Sequence, residues 1–167
     1  TRQFAVVGDP VAHSLSPLIH NEWMAVAGLD AHYSRVHLQS EDAVQDLRAM
    51  GQIYSGLNIT LPHKIAALKA AVEASVEARA IGAANTLVAG AGGWVAHNTD
   101  VDGFEAKVGA AIGEVRPGLR VLMIGAGGAA RAAAYSLNRV GAKVSIANRT
   151  VENARALADE LAPGARV

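Results

Sequence analysis

Short apolar runs alternate along the chain with stretches in which apolar residues recur every three to four positions. The short runs predict strands, and the longer spacing predicts amphipathic helices. Strands are predicted at 4–8, 31–38, 56–60, 119–125 and 143–148, with two more around the Gly-rich turn within 85–98. Helices are predicted at 18–27, 40–50, 63–72, 75–81, 102–112, 128–140 and 151–161. Because strands alternate with helices, we expect an α/β fold with a mainly parallel sheet and helices on its faces.

The pattern of predicted strands and helices places a domain boundary near residue 100. Residues 1–100 are expected to form a mainly parallel α/β domain, and residues 101–167 the first part of a second α/β domain. The final "ARV" resembles the start of a further strand. We therefore expect a truncated chain rather than a naturally compact one.

Charge and composition exclude several classes of protein. The 167 residues include 15 basic and 15 acidic ones, so no basic stripe favours nucleic-acid binding. The absence of cysteine excludes disulfides and thiolate metal sites, and we predict no metal site. No apolar stretch reaches membrane-spanning length, and the N-terminus lacks the pattern of a secretory signal. A cytoplasmic protein that acts on small molecules, with no membrane partner, is the expectation.

The segment "GAGGAA" at 125–130 follows a predicted strand and opens a predicted helix. It fits G-x-G-x-x-G/A through Gly125, Gly127 and Ala130. Gly125 would allow the tight turn, and Gly127 would let the backbone approach a pyrophosphate at the helix N-terminus. The order of strand, glycines, helix and next strand predicts dinucleotide binding. The alternative is a turn whose glycines serve only close packing.

The next predicted strand ends at Asn148, Arg149 and Thr150. An NAD site usually has an acidic residue here, which would repel a 2′-phosphate. An arginine fork and a hydroxyl would instead bind that phosphate. This triplet predicts NADP(H) rather than NAD(H). The alternative is an ordinary surface arginine.

The first half carries polar residues that a core does not need. Ser14 and Ser16 lie in the loop after the first strand, where their spacing can turn both hydroxyls toward one ligand. Local turn bonding is the alternative. Asn58 and Thr60 end a strand, where ligand crevices form in open α/β sheets, although Asn58 can equally satisfy backbone groups. Asn85 lies at a similar strand edge.

The segment "NITLPHK" at 58–64 contains the sharpest anomaly. Pro62 is predicted at the first position of a helix, which puts Lys64 in the first turn, against the positive end of the helix dipole. A lysine can protonate a carbonyl oxygen, and a carboxylate such as Asp100 can orient it and keep it charged. This pair suits a nicotinamide-dependent carbonyl reduction. The alternative is a solvated lysine and an aspartate that caps a helix.

Together these segments resemble the shikimate dehydrogenase family. The matching segments are "GDPVAHSLSPLIHN" (8–21), "GLNITLPHK" (56–64), "IGAANTL" (81–87), "NTDVDGF" (98–104), "IGAGGAARA" (124–132) and "ANRT" (147–150). The resemblance runs through nearly the whole chain. It implies a substrate domain, an NADP-binding Rossmann domain and a cleft between them. It also implies interconversion of 3-dehydroshikimate and shikimate, in the route to aromatic amino acids.

The resemblance also implies roles for individual residues. Lys64 and Asp100 would be the catalytic pair and would share one cleft with the substrate-binding residues. The substrate-binding residues would be Ser14 and Ser16 for the carboxylate, and Thr60 and Asn85, with Lys64 and Asp100, for the ring hydroxyls. The cofactor-binding residues would be Gly125, Ala126, Gly127, Gly128 and Ala129 at the pyrophosphate, and Asn148, Arg149 and Thr150 at the 2′-phosphate.

This chain departs from the family pattern at several points. Val101 stands where the family often has glycine, and Asn153 where it often has a second arginine, with Arg155 two residues further on. Family chains also run well past residue 167 and contribute further substrate and nicotinamide contacts. Two alternatives therefore stay open: a non-catalytic shikimate-binding fragment, and a quinate dehydrogenase that uses NAD. A homodimer is a further possibility.

Overall fold

The computed structural model describes all of residues 1–167, which form eight strands and seven helices. The strands are β1 (Arg2–Gly8), β2 (Ala31–His37), β3 (Gly56–Ile59), β4 (Glu73–Ala74), β5 (Thr86–Gly90), β6 (Gly93–His97), β7 (Arg120–Ile124) and β8 (Lys143–Ala147). The helices are α1 (Ser16–Val26), α2 (Ala43–Met50), α3 (Lys64–Ala70), α4 (Val76–Ile81), α5 (Asp100–Ile112), α6 (Gly128–Arg139) and α7 (Val151–Leu161). Every predicted strand and helix is present within a few residues. The sequence pattern missed only β4.

The chain divides into two compact units. The first comprises Thr1–Arg79 and Ala83–His97, and the second comprises Ala80–Gly82 and Asn98–Val167. The short segment Ala80–Gly82 belongs to the second unit because Arg131 of α6 donates from Nε to the carbonyl oxygen of Ile81 at 2.6 Å. No helix in either unit is long and apolar enough to cross a membrane.

The first unit is built on a six-stranded sheet in the order β2-β1-β3-β5-β6-β4. β1 pairs in parallel with β2 and β3, and β4 pairs in parallel with β6. β5 joins β3 and β6 in antiparallel fashion, because β5 and β6 form a hairpin. The prediction of an α/β fold with a mostly parallel sheet is confirmed, although the hairpin makes the sheet mixed.

β1 and β3 supply much of the core of the first unit. Ala5, Val7, Leu57 and Ile59 are buried because helices cover the sheet there, as is typical of parallel strands. α2 adds the fully buried Leu47, whose carbonyl oxygen accepts a hydrogen bond from Trp94 Nε1 at 2.6 Å. This bond attaches the hairpin to α2 and satisfies the indole N–H inside the core.

The second unit contains the parallel pair β7 and β8, with α6 and α7 packed against it. Buried alanines at 132–134 allow close approach of α6, and α7 contributes Leu157 and Leu161 to the same core. Arg166 forms an isolated parallel bridge to Ser145 of β8, so the final "ARV" lies beside that strand.

The expected position of Pro62 is wrong. Pro62 lies in a turn and follows a cis peptide bond, and α3 begins two residues later at Lys64, with His63 as the N-cap residue. Lys64 is nevertheless in the first turn of α3, as predicted. The turn is fixed by His63, which is buried and donates from Nε2 to the carbonyl oxygen of Leu38 at 2.8 Å.

Candidate active site

The carboxyl ends of β1 and β3 lie side by side, because the two strands are parallel neighbours. The Thr60 N–H donates to the carbonyl oxygen of Val7 at 2.9 Å, which continues the pairing one residue past β3. A side chain at Gly8 would overlap Cγ2 of Thr60 and approach the carbonyl oxygen of Leu61 to 3.1 Å. The absence of a side chain at Gly8 therefore gives Thr60 its place at this edge of the sheet.

The substitution Gly8→Ala should destabilise the protein by about 1–3 kcal/mol, since the added methyl group must displace Thr60 or the backbone beside it. Urea unfolding of wild type and variant measures this difference. Gly92→Ala is the matched control, because a Cβ at Gly92 meets no heavy atom within 4 Å. Equal effects of the two substitutions would show that Gly8 is not needed for this packing.

Ser14 and Ser16 face one another at the start of α1. The Ser14 hydroxyl donates to Ser16 Oγ at 3.1 Å and accepts a bond from the Ser16 N–H at 3.3 Å. The Arg35 guanidinium donates from Nε to the carbonyl oxygen of Ser14 at 2.9 Å, which holds the loop in place. The two hydroxyls thus form one polar cluster, and they also make the local turn bonds that the alternative reading expects.

Lys64 is half-buried at the N-terminus of α3. Its carbonyl oxygen accepts a hydrogen bond from the Ala84 N–H at 2.9 Å, one residue before Asn85. Asn85 in turn extends the sheet by one residue before β5. Its carbonyl oxygen accepts a hydrogen bond from the Ile59 N–H at 2.7 Å, and its N–H donates to the carbonyl oxygen of His97 at 3.1 Å. The structure therefore brings Thr60, Lys64 and Asn85 to one edge of the first unit.

Sequence reasoning missed two aromatic residues beside this edge, Tyr33 and His20. Tyr33 is 3% exposed, and burial raises its pKa to about 12. Its hydroxyl donates to Asn58 Oδ1 at 2.6 Å, and the Asn58 amide donates to Thr86 Oγ1 at 3.4 Å. The alternative in which Asn58 only satisfies backbone groups is therefore wrong, because its side chain binds two other side chains. The partner of the Tyr33 hydroxyl lies 25 residues away, so no local pattern in the sequence signals it.

Asp100 belongs to the second unit, where it is the first residue of α5. The alternative in which Asp100 caps this helix is wrong, because Thr99 is the N-cap residue and Asn98 Oδ1 accepts the Asp100 N–H at 3.0 Å. A carboxylate in the first turn is favourable with respect to the helix dipole. The partnership of Asp100 with Lys64 stays a prediction.

The glycine loop of the second unit connects β7 to α6. Gly125 has a φ of +110° and donates its N–H to Ala147 at 2.8 Å, so the chain turns sharply at the end of β7. A Cβ at Gly125 would meet no heavy atom within 4 Å. The backbone conformation, rather than close packing, therefore requires glycine here. The loop ends at Gly127, and α6 begins with N–H groups available for an anion.

The triplet Asn148–Thr150 follows β8 at the same edge, since β7 and β8 are parallel. Asn148 donates from Nδ2 to the carbonyl oxygen of Thr150 at 2.7 Å, which orders the turn before α7. Arg149 is exposed at the strand end. A glycine turn that joins two parallel strands through a helix, with an arginine at the next strand end, is the arrangement of a Rossmann-type unit.

Comparison with known proteins identifies the family of both parts of the chain. Residues 6–87 match the family described as the shikimate dehydrogenase substrate binding domain, and residues 110–166 match the one described as shikimate / quinate 5-dehydrogenase. The NADP(+) shikimate dehydrogenase of Hyphomonas neptunium is 46% identical over 100% of this chain. The chain belongs to the shikimate dehydrogenase family.

Solved structures give the same result. Shikimate dehydrogenase from Aquifex aeolicus superposes with a TM-score of 0.88 and 36% identity over 96% of this chain, which covers 60% of that structure. The Thermus thermophilus enzyme, in complex with NADP(H) and shikimate, has a TM-score of 0.82 and 40% identity over 99% of this chain. The chain spans 62% of the length of both the Thermus and the Hyphomonas proteins.

Proposed function

We propose that this chain belongs to an enzyme that interconverts 3-dehydroshikimate and shikimate with NADP(H). The observation that carries the proposal is the common edge shared by Thr60, Lys64 and Asn85, where the backbone brings one lysine and two neutral hydrogen-bonding residues together. The relative crystallised with NADP(H) and shikimate, at 40% identity, supports the choice of substrate and cofactor.

The proposed reduction places a hydride on the ketone carbon and a proton on the ketone oxygen. Bound NADPH supplies the hydride. The Lys64 ammonium group donates the proton as negative charge develops on the oxygen, and Asp100 orients that ammonium group. Lys64 takes the proton back when shikimate is oxidised, so the residue serves both directions.

The remaining proposed residues bind the substrate and the nucleotide. Ser14 and Ser16 donate hydrogen bonds to the substrate carboxylate, while Thr60 and Asn85 hold the ring hydroxyls. In this proposal residues 1–100 form the substrate domain and residues 101–167 the first part of the nucleotide domain. The nucleotide-binding residues are Gly125, Ala126, Gly127, Gly128 and Ala129 at the pyrophosphate, and Asn148, Arg149 and Thr150 at the 2′-phosphate.

The test uses the complete reading frame that contains this chain. Purified protein is supplied with shikimate and NADP⁺, and the absorbance of the reduced nicotinamide is followed. We expect turnover that requires both compounds, with slower turnover when NAD⁺ replaces NADP⁺. Absence of both turnover and shikimate binding would overturn the proposal.

Two other functions are separated by the same assay. The family described as shikimate / quinate 5-dehydrogenase makes quinate the natural second substrate to supply. Faster oxidation of quinate with NAD⁺ would assign quinate dehydrogenase activity instead. Residues 1–167 expressed alone would bind shikimate without turnover if they form only a binding fragment.

A homodimer and a cytoplasmic location stay predictions. Light scattering of the purified protein measures the oligomeric state.

A further inference from the structure

Specific contacts hold both the ring and the backbone of Tyr33 in place. Its ring stacks on His20, with centroids 4.3 Å apart and an angle of 14° between the planes. β2 is an edge strand, and the Asn21 side chain binds both Tyr33 backbone groups on the open side, donating to the carbonyl and accepting from the N–H, each at 2.9 Å. Ring and backbone are thus both fixed, so the hydroxyl has a defined direction.

That hydroxyl begins a directed series of hydrogen bonds. It donates to Asn58 Oδ1 at 2.6 Å, so the amide of Asn58 must turn its nitrogen the other way. The nitrogen donates to Thr86 Oγ1 at 3.4 Å, and the Thr86 hydroxyl donates to Asn85 Oδ1 at 3.0 Å. Each donor therefore determines the orientation of the next group.

The orientation of the Asn85 amide, the last group in this series, matters for substrate binding. Because Asn85 Oδ1 accepts the Thr86 hydroxyl, the amide nitrogen of Asn85 points to the opposite side. The backbone of Asn85 is fixed as well, between Ile59 and His97. The side chain is thereby set as a hydrogen-bond donor at the edge that also carries Thr60 and Lys64.

We propose that Tyr33 is a positioning residue for substrate binding, which acts through Asn58 and Thr86 to fix the Asn85 amide as a donor toward a substrate hydroxyl oxygen. This inference rests on the proposed function, because it takes Asn85 as a substrate-binding residue. It adds a tyrosine on β2, remote in sequence from Asn85, to the residues that determine substrate affinity.

A second branch connects Tyr33 to the serine cluster. His20, on which the Tyr33 ring stacks, donates from Nδ1 to the carbonyl oxygen of Ser16 at 2.8 Å. The Tyr33 ring therefore supports the first turn of α1, which carries Ser16, while its hydroxyl supports Asn85. Removing only the hydroxyl separates these two roles, because the stacked ring remains.

The experiment is Tyr33→Phe in the protein from the complete reading frame. We expect the KM for shikimate to rise about tenfold, because loss of one directed hydrogen bond frees the Asn58 and Asn85 amides to rotate. The kcat should change less than about twofold, since Tyr33 does not contact the reacting atoms. Tyr54→Phe is the matched control, because Tyr54 is a half-buried tyrosine of the same unit.

A double-mutant cycle distinguishes positioning from a structural role. If Tyr33 acts through Asn85, then Tyr33→Phe should have no further effect on KM in an Asn85→Ala background. Asn58→Leu, which interrupts the series at its middle, should match Tyr33→Phe in KM even if the two differ in stability. Additive effects in the cycle would overturn the inference.

The outcomes also separate this inference from the proposed function. If the wild-type protein binds shikimate and Tyr33→Phe binds it equally well, the inference fails and the proposed function stands. If the wild-type protein does not bind shikimate, the proposed function fails, and the inference fails with it.

Discussion

Replacing Lys64 by methionine should lower kcat for NADP⁺-dependent shikimate oxidation by about a thousandfold, the middle of the range for loss of a general acid–base group. Methionine keeps much of the length of the side chain but cannot carry a proton to or from the substrate oxygen. The N-terminus of α3 should stay intact, because the contact between Lys64 and Ala84 uses the Lys64 backbone. The KM for shikimate should rise far less than kcat falls. Steady-state kinetics with both substrates varied measures the two parameters.

Lys69→Met provides the matched control. Lys69 lies in the last turn of the same helix and is exposed, so its replacement removes an equal charge far from the strand ends. This variant should keep wild-type kcat. If Lys64→Met and Lys69→Met were equally active, Lys64 would be an ordinary surface lysine and the proposed chemistry would be wrong.

Arg149→Glu should raise the KM for NADP⁺ by about a hundredfold, through loss of charge-assisted hydrogen bonds to the 2′-phosphate and added repulsion. The KM for NAD⁺ should stay the same or fall, because a carboxylate at this strand end can bind the ribose 2′-hydroxyl. Stability should change little, since Arg149 is exposed. Kinetics with each cofactor at saturating shikimate gives both values.

Arg155→Glu is the control for charge. Arg155 is exposed on α7, six residues beyond Arg149, and is the other arginine that the sequence offers near this strand end. It should leave the preference for NADP⁺ unchanged. A cofactor preference that shifts equally in both variants would indicate a general effect of charge, and Arg149 would then be an ordinary surface residue.

Most of the fold could be predicted because buried parallel strands and amphipathic helices leave strong patterns. β4 could not, because a pair of residues acquires strand geometry only through its partner β6. The position of Pro62 was predicted from helix rules alone, whereas the turn before α3 is held by His63 and its distant partner Leu38. Contacts between distant residues decided both cases.

The site could be predicted in part, for a related reason. Thr60 and Asn85 come directly at strand ends, and parallel topology places such residues at one edge. Tyr33 shows in the sequence only as an apolar position of β2. The partner of its hydroxyl is Asn58, 25 residues away, and no local pattern reports that distance.

A crystal structure of the protein with bound shikimate tests the central claim most directly. The account predicts shikimate at the carboxyl edge of the first unit, with Thr60, Lys64 and Asn85 within hydrogen-bond distance of its ring oxygens. The Asn85 amide should donate through its nitrogen, with Tyr33 still bound to Asn58. Shikimate bound elsewhere, or at this edge without contact to Lys64, would contradict the account.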